Sequence, residues 1–308
     1  MDIFHDILDT LDLKGTLYFR TCFMSPWAVQ VPKFEQVARF HLVVQGQCFV
    51  NFPSGEQLKL NAGDMILIPA GAKHIISDGH HRNAAPLETV LSTSGYDGKG
   101  VLVIGKGDPD ATTQLICGHY NFRKGADHPV LRALPEFLVV STAMRASHPW
   151  LDDMLRLIVR RLFSGDKAAD AVVTRLSESI FIELVNAGIE NNQLLKDLMR
   201  GFNDRHIGSA LELIHERPDH PWTVESLARE VGMSRSRFAE KFQHLVGSGP
   251  MAYLSEWRIQ KALSLLNSSH WSVQQIAKKT GYRSPAAFTR AFSLKMGFPP
   301  SQYRQSYA

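Results

Sequence analysis

Two similar stretches near the C-terminus decide the fold of this chain: WTVESLAREVGMSRSRFAEKF, from Trp222 to Phe242, and WSVQQIAKKTGYRSPAAFTRAF, from Trp271 to Phe292. Each begins with Trp-x-Val, continues to an Ala and a Gly, and ends with a Phe-x-x-x-Phe pair. In the first stretch the apolar residues before the glycine recur at i, i+3, i+4 and i+7, which is the spacing of one helical face, and the second repeats this spacing with Thr280 at the last position. The repeat therefore predicts two helical units of the same design.

A glycine divides each stretch into two short helices. Gly232 and Gly281 stand where a left-handed backbone conformation costs least. Ser234 and Ser284 follow at positions where a hydroxyl can cap the second helix, and Pro285 favours its first turn. Such a helix-turn-helix places its second helix in the major groove of DNA. The alternative is an ordinary helical bundle.

The region from Ile207 to the end resembles the DNA-binding domain of AraC/XylS-type bacterial transcription regulators. The resemblance rests on the stretch Tyr253–Leu266, where the family has its linker helix, and on the second repeat. It also rests on the closing Gly297-Phe298-Pro299-Pro300…Tyr303-Arg304. It implies two helix-turn-helix units held about one DNA turn apart, with promoter DNA and RNA polymerase as partners and activation as the commoner outcome.

The charge distribution agrees with DNA binding. Residues 206–308 hold 13 Lys and Arg against 7 Asp and Glu, whereas the rest hold 21 against 23, within a net charge of +4. Cations that neutralise phosphates release counterions. The expected phosphate contacts are Arg258, Lys278, Lys279, Lys295 and Arg304. Base contacts are expected from exposed positions of the second helices, namely Arg235, Ser236, Arg237, Glu240, Arg283, Ala286 and Arg290. The alternative for both sets is a solvated surface.

The chain from about Leu17 to Phe137 has the pattern of a β-domain. Short apolar runs alternate with turn residues every eight to twelve positions, which favours a barrel or sandwich. The predicted strands are Phe40–Val44, Gln47–Phe52, Gln57–Leu60, Met65–Ile68 and Ala111–Phe122. The pattern Gly63-x5-Pro69-x-Gly71-x2-His74-x3-Asp78 resembles the second cupin motif. AraC-type regulators often carry a cupin-like sensor domain at the N-terminus.

The first cupin motif has a single histidine here. The stretch RFHLVVQGQCFVNF contains His41 and no second histidine two residues away, whereas metal-dependent cupins supply two His and a Glu. Zinc or iron needs three or more protein ligands, so a divalent metal would require His41 and His74 to recruit Cys117 or His119. The other interpretation is an effector pocket of mixed polarity, lined by Phe40, His41, His74 and Tyr120.

Three scattered cysteines do not form a disulfide scaffold. Cys48 lies in an apolar strand and is expected to be inert. Cys22, near Arg20, and Cys117, near His119, are candidates for thiols with a lowered pKa. One hypothesis is that oxidation of either thiol, or a bond between the two, switches DNA binding. The alternative is that both are packing residues.

Between these regions the periodicity is helical. One helix is predicted over residues 151–162 and a second over residues 168–187, with Val172, Leu176, Ile180 and Leu184 on one stripe. Such a helical pair packs on its own domain. In regulators of this type it also forms a dimer interface, so a homodimer is expected.

These patterns predict an α+β multidomain chain. A cupin-like β-barrel covers residues 1–145, a helical linker and dimerisation segment 146–204, and an all-α domain with two helix-turn-helix motifs 205–308. The sequence has no apolar run long enough for a membrane span and no secretory signal, so it is expected in the cytoplasm.

The predicted function is that of a non-enzymatic, sequence-specific DNA-binding regulator that senses a small molecule or an oxidant. One alternative is a metal-dependent cupin enzyme with a helical appendage. Another is a non-specific architectural DNA-binding protein.

Overall fold

The computed structural model describes residues 3–79, 83–98, 100–106, 112–163, 169–189 and 192–306. The chain divides into two compact units. The β unit comprises Leu13–Phe122 and Leu134–Asn191, and the helical unit comprises Met1–Asp12, Arg123–Ala133 and Asn192–Ala308. This division differs from the contiguous domains 1–145, 146–204 and 205–308, because two N-terminal segments pack with the C-terminal helices.

The secondary-structure elements are as follows. The strands are β1 (Lys14–Met24), β2 (Ala28–Val31), β3 (Val37–Gln45), β4 (Gln47–Asn51), β5 (Gln57–Asn61), β6 (Met65–Ile68), β7 (His74–Ser77), β8 (Ala85–Pro86), β9 (Val101–Ile104), β10 (Thr112–Asn121) and β11 (Leu138–Val140). The helices are α1 (Ile3–Leu11), α2 (Leu87–Ser94), α3 (Pro129–Arg132), α4 (Thr142–Ala146), α5 (Pro149–Phe163), α6 (Ala169–Ile189), α7 (Gln193–Asn203), α8 (Arg205–Glu216), α9 (Val224–Glu230), α10 (Arg235–Val246), α11 (Pro250–Ser268), α12 (Val273–Lys279), α13 (Pro285–Met296) and α14 (Pro300–Gln305).

Two sheets form the β unit. Their strand orders are β11-β6-β3-β10-β1-β9 and β5-β4-β7-β2-β8. Because side chains alternate along a strand, Val43 and Cys117 enter the buried cluster between the sheets. Phe40 and Tyr120 belong to the opposite face, where their rings contact each other at 5.3 Å and Tyr120 contacts Phe181 of α6 at 5.0 Å. The five predicted strands are present, although Ala111 lies outside the described residues.

Helix α6 buries a stripe that differs from the predicted one. Val172 is 37% exposed, whereas its neighbour Val173 is 1% exposed. Ile180 and Leu184 are buried as predicted. One residue rotates the side chain by a hundred degrees around a helix, so a spacing of four alone leaves the centre of the buried face uncertain by one position. The predicted first residue, Ala168, lies outside the described part of the chain. No helix among the described residues has the length and apolarity to cross a bilayer.

The helical unit contains the two predicted helix-turn-helix motifs, α9–α10 and α12–α13. Phe238 and Phe242 are fully buried and meet edge to face at 5.7 Å. Phe288 and Phe292 repeat this arrangement at 5.6 Å. Each pair holds one face of its helix against the core, so the opposite face is exposed.

The glycine turns are confirmed, with φ of +68° at Gly232 and +78° at Gly281. A Cβ at Gly281 would lie 2.7 Å from the Asp219 Cα and from the Pro218 oxygen, whereas one at Gly232 would meet no described residue within 4 Å. The first turn therefore needs glycine for its backbone conformation alone. The second also needs it for close packing.

The predicted serine caps have different outcomes. Ser284 accepts a hydrogen bond from the Ala287 N–H at 3.1 Å, as expected. Ser234 occupies the same position before α10, but its hydroxyl makes no capping hydrogen bond, so that prediction is wrong. The first motif is instead capped one helix earlier, where Thr223 and Ser226 exchange hydrogen bonds in a capping box.

The helical unit also includes α1 and the inserted segment, residues 123–133. A chain of buried hydrogen bonds joins them to α8 and α11. Lys261 donates to Asp6 at 2.6 Å, and the other Asp6 oxygen lies 2.9 Å from His215 Nδ1. The Tyr253 hydroxyl lies 2.7 Å from His215 Nε2 and 3.0 Å from His128 Nε2.

The groups at the two ends of this hydrogen-bonded series, the Val130 N–H and the Asp6 carboxylate, determine the direction of each hydrogen bond. The Val130 N–H donates to His128 Nδ1, so the proton of neutral His128 is on Nε2 and points to Tyr253. Tyr253 therefore donates to His215 Nε2, and His215 Nδ1 donates to the Asp6 carboxylate. Each imidazole or hydroxyl proton between His128 and Asp6 therefore has one acceptor. An extra proton on either imidazole would leave two donors facing each other in a buried site, which costs about 1–3 kcal/mol.

Acidification is expected to destabilise the helical unit through His128 and His215. Burial lowers the pKa of both imidazoles in the folded chain; Asp6 partly opposes the shift, whereas Arg132 at His128 and Lys261 at His215 add to it. Unfolded histidine has a pKa of about 6.5. The stability is therefore fully present above that pH and is lost as the pH falls below it, with a slope of at most about 1.4 kcal/mol per pH unit for each histidine.

Hydrogen exchange of α8 amides between neutral pH and pH about 5.5 measures this loss. His128→Gln keeps an amide that can bond to Tyr253 but does not titrate, so the slope of stability against pH should fall by up to about 1.4 kcal/mol per unit. The exposed His270→Gln is the control and should keep the slope. Asp6 does not contribute to the pH slope in this range, because its pKa lies below 3.8. Burial alone would raise that pKa, but the hydrogen bonds with His215 and Lys261 lower it overall. An unchanged slope in His128→Gln would contradict the assignment.

Candidate nucleic-acid interface and effector cavity

The predicted base-contacting side chains lie on the exposed faces of the two helix-turn-helix motifs. All seven are exposed: Arg235, Ser236, Arg237, Glu240, Arg283, Ala286 and Arg290. Each motif turns them away from its buried Phe pair, which is the orientation that entry into a groove requires. Arg235 also pairs with Glu225 of α9 at 2.5 Å, with both side chains largely exposed. A surface pair of this kind contributes little stability, so the guanidinium remains available to DNA.

Three further exposed side chains continue these faces but were not among the predicted contacts: Gln243, His244 and Leu294. They lie three or four residues after Glu240 or Arg290, which is one helical turn. Extending the same spacing by one more turn identifies them from sequence. Leu294 is 89% exposed, the highest value among the large apolar side chains described.

The predicted phosphate contacts fall into two groups. Lys278 and Lys279 are exposed in the last turn of α12. The other three bind the protein itself. Arg258 donates to the carbonyls of Pro218 and His220 at 2.7 and 2.9 Å.

The remaining two cations, Lys295 on α13 and Arg304 on α14, bind other segments of the helical unit. Lys295 pairs with Asp127 at 2.7 Å and lies 3.6 Å from Glu256, and Arg304 donates to the Trp271 carbonyl at 2.6 Å. Each of them therefore uses part of its hydrogen-bonding capacity within the helical unit. We assign them, like Arg258, first to positioning the helices.

A cavity lies between the two sheets of the β unit. Its walls are mostly apolar, with Thr21, Arg39, His41 and Cys117 as polar members; the apolar members are Phe19, Phe23, Val29, Val31, Ile76, Leu87 and Leu102. Its free volume is about 20 Å³, enough for about one water molecule. Any larger ligand requires the surrounding side chains to move.

The predicted pocket set needs correction. His41 lines the cavity, but its neighbour Phe40 points to the opposite face of β3. Tyr120 likewise lies on the outer face, against Phe181. Adjacent residues of a strand cannot both face the interior, so Phe40 and Tyr120 do not line this cavity. His74 is buried beside it and contacts His41.

A hydrogen-bonded chain crosses the β unit interior. His74 Nδ1 donates to the Ala72 carbonyl at 2.7 Å, so its Nε2 accepts from His41 Nε2 at 2.9 Å. His41 Nδ1 then accepts from the Cys117 thiol at 3.0 Å. Burial lowers the pKa of both imidazoles, to about 4 for His74, and raises the pKa of the thiol. All three groups are therefore neutral at neutral pH.

This arrangement does not fit the predicted metal site. Cys117 and His74 approach opposite edges of the His41 ring, so the three cannot surround one ion. His119 is buried, and burial lowers its pKa to about 4. Within the described residues, no three His, Cys, Asp or Glu side chains form a group able to hold a metal.

The two candidate redox cysteines lie on opposite faces of the first sheet. Cys117 lines the cavity together with Thr21 and Phe23. Cys22 lies between these two residues on β1, so it points to the other face and is half-buried. A disulfide needs Cβ atoms about 3.5–4.5 Å apart, so a direct Cys22–Cys117 bond is incompatible with this sheet.

Comparison with known proteins agrees with both units. A cupin family model matches residues 2–190, and a helix-turn-helix domain model matches residues 227–306. The HTH-type transcriptional regulator AlkR of Acinetobacter baylyi is 30% identical over 99% of each chain. The RCS-specific HTH-type transcriptional activator RclR of Escherichia coli K12 is 26% identical, over 95% of this chain and 93% of its own.

Among solved structures, the DNA-binding domain of AdpA in complex with a target DNA is 33% identical. That match covers 34% of this chain and 93% of the AdpA domain, with a TM-score of 0.32. The full-length relatives are transcription regulators, which does not favour the enzyme alternative. The chain belongs to the AraC-type helix-turn-helix transcription regulators that carry a cupin domain before their DNA-binding region.

Proposed function

We propose that this regulator activates transcription from promoters bound by α10 and α13, and that its cupin domain controls this activity in response to a small molecule or an oxidant. The observation that carries the proposal is the pair of second helices, each anchored by two buried phenylalanines and exposed on the opposite face. The relative RclR is named as an activator. Activation implies contact with RNA polymerase.

The connectivity of the chain supports a route for the signal. Strand β10 supplies Cys117 to the cavity wall and ends at Asn121, and the chain enters the helical unit at Arg123. Helix α1 is joined in the same way to β1, which also lines the cavity. An effector that shifts either strand acts directly on the segments that hydrogen-bond to α11. It changes DNA binding only if it prefers one arrangement over the other.

The DNA contacts are tested by comparing a base-reading with a phosphate-binding side chain. Arg290→Ala is expected to weaken binding to the native site by about 1–3 kcal/mol and to relax preference at one base position, because a guanidinium pairs bidentately with guanine. Lys279→Ala is expected to weaken binding to all sequences alike. It should also reduce the slope of log K against log salt by about 0.9.

Fluorescence anisotropy with native and random duplexes at several salt concentrations measures both effects. Arg175→Ala, on the exposed side of α6, is the control and should leave affinity unchanged. An equal loss on all sequences would assign Arg290 to phosphate. Wild-type protein that binds native and random DNA alike would be an architectural protein rather than a specific regulator.

We also propose that α5 forms part of a homodimer interface. Trp150 is 74% exposed and Leu157 is 39% exposed. A spacing of seven residues places them on one face of the helix. Clustered apolar side chains at this exposure are typical of protein interaction sites.

Trp150→Glu should convert the dimer to a monomer in sedimentation velocity, because it puts a charge in the apolar interface. Leu194→Glu is a matched control, since Leu194 is also an apolar side chain on a helix and is 67% exposed. It should leave the oligomeric state unchanged. A Trp150→Glu protein that sediments as a dimer would place the interface elsewhere.

For the oxidant branch of the proposal, Cys22 is the candidate sensor. Burial raises the pKa of Cys48 to about 12 and that of Cys117 above its usual value, so both remain protonated at neutral pH. Thiols react with oxidants as thiolates. Cys22 is the half-buried cysteine and does not need to disrupt the core to react.

Cys22→Ala should abolish the response of a promoter fusion to peroxide or hypochlorite, with DNA binding by the reduced protein unchanged. Cys48→Ala is the control and should keep the response. If Cys22→Ala responds like wild type, the effector is not an oxidant acting at this thiol. The assignment of the DNA-binding face is independent of that result.

A further inference from the structure

Helices α10 and α13 expose equivalent positions. An offset of fifty residues brings Phe238 onto Phe288 and Phe242 onto Phe292, and all four rings are fully buried. The first three residues of each helix, its sixth and its tenth are exposed in both. Because the same positions are buried, the same positions face a DNA groove. The two helices are therefore comparable residue by residue.

The exposed face of α10 carries many hydrogen-bonding groups. Its side chains are Arg235, Ser236, Arg237, Glu240, Gln243 and His244. Arg donors match guanine, a carboxylate accepts from cytosine, and a hydroxyl or amide can serve several bases. This face is suited to a site of mixed sequence.

The equivalent face of α13 is mostly apolar. Its side chains are Pro285, Ala286, Ala287, Arg290 and Leu294. Arg290 is the one charged group on this face, since the other cation of the helix, Lys295, is paired with Asp127 and Glu256. Ala286, Arg290 and Leu294 follow one another at intervals of four along one stripe. The hydrogen-bonding capacity of this stripe is limited to Arg290.

The major groove offers one apolar group, the C5-methyl of thymine, and alanine is among the side chains that contact it. The N-terminal residues of a recognition helix are the ones that reach base edges, and Ala286 and Ala287 lie in the first turn of α13. Lys278, Lys279 and Arg283 precede this turn and are exposed. Cations beside the apolar face favour DNA over an apolar protein surface as its partner.

We propose that α13 recognises its half of the operator through thymine methyl groups, contacted by Ala286 and Ala287, and through one guanine paired with Arg290. The inference rests on the proposed function, because it requires both helices to enter major grooves. The half-site under α13 is then rich in A·T pairs. The half-site under α10 is read through hydrogen bonds.

The test begins with selection of binding sites from random DNA by the full-length protein. The selected site should contain two blocks about 10 base pairs apart, one of them rich in A·T pairs. Each thymine of that block is then replaced by deoxyuridine, which removes the C5-methyl alone. Affinity should fall about fourfold for each methyl that is buried against the protein. The same replacement in the other block should change affinity by less than about twofold, since hydrogen bonds read that block.

A double-mutant cycle identifies the side chain that contacts the methyl. Ala286→Gly removes the Cβ, so this variant should bind thymine and uracil equally at one position. Ser236→Gly, at the equivalent place in α10, should keep the full uracil penalty. Because each penalty is a ratio within one variant, a loss of helix stability does not affect it.

Specific binding with equal affinity for thymine and uracil throughout the α13 block would overturn this inference and leave the proposed function intact. Absence of any selected site would overturn both. Leu294→Ala tests the end of the stripe and should lower operator affinity. If it lowers transcription and leaves affinity unchanged, Leu294 contacts a protein rather than DNA, and the stripe ends at Arg290.

Discussion

The burial of two phenylalanines in each recognition helix is the constraint on which DNA contact depends. Phe238 and Phe242 are one turn apart, so both rings can be buried only when the helix has one rotation about its axis. Each buried ring contributes about 1.5–3 kcal/mol, more than an exposed polar side chain contributes. Packing therefore decides which residues of each helix are exposed, whether or not DNA is present. The same argument applies to Phe288 and Phe292, which explains why two unlike helices expose equivalent positions.

A tyrosine that recurs in both halves of the DNA-binding region connects that region to the N-terminal half of the chain. Tyr253 and Tyr303 are fifty residues apart, and both are nearly or fully buried. Tyr253 meets His128 at 3.0 Å, and Tyr303 donates to the Lys124 carbonyl at 3.0 Å. Both tyrosines thus bind the inserted segment, residues 123–133, Tyr303 near its start and Tyr253 at its middle. The segment is held by both halves of the DNA-binding region, so a displacement of the segment is felt by both.

The features that could be predicted from the sequence are those that depend on a local pattern of residues. Periodicity located the buried phenylalanines, and backbone freedom located Gly232 and Gly281, because these properties depend on neighbours a few residues away. The sequence did not place α1 in the helical unit, since the contact of Asp6 with His215 joins residues 209 positions apart and no local pattern encodes it. The misplacement of Phe40 was avoidable, because alternation already excludes a pocket that contains two adjacent strand residues.

The two motifs differ where packing leaves them free to differ. Several buried or turn positions are identical at the fifty-residue offset, among them Phe238/Phe288, Phe242/Phe292, Gly247/Gly297 and Tyr253/Tyr303. The exposed positions of α10 and α13 differ at every equivalent site, as at Glu240/Arg290. The two motifs therefore have the same buried anchors and expose two unrelated sets of side chains. Since base contacts specify sequence and the buried anchors do not, the two halves of a site bound by one chain need not repeat each other. On the proposed function, a search for operators of this regulator should therefore not assume direct or inverted repeats within one subunit's footprint.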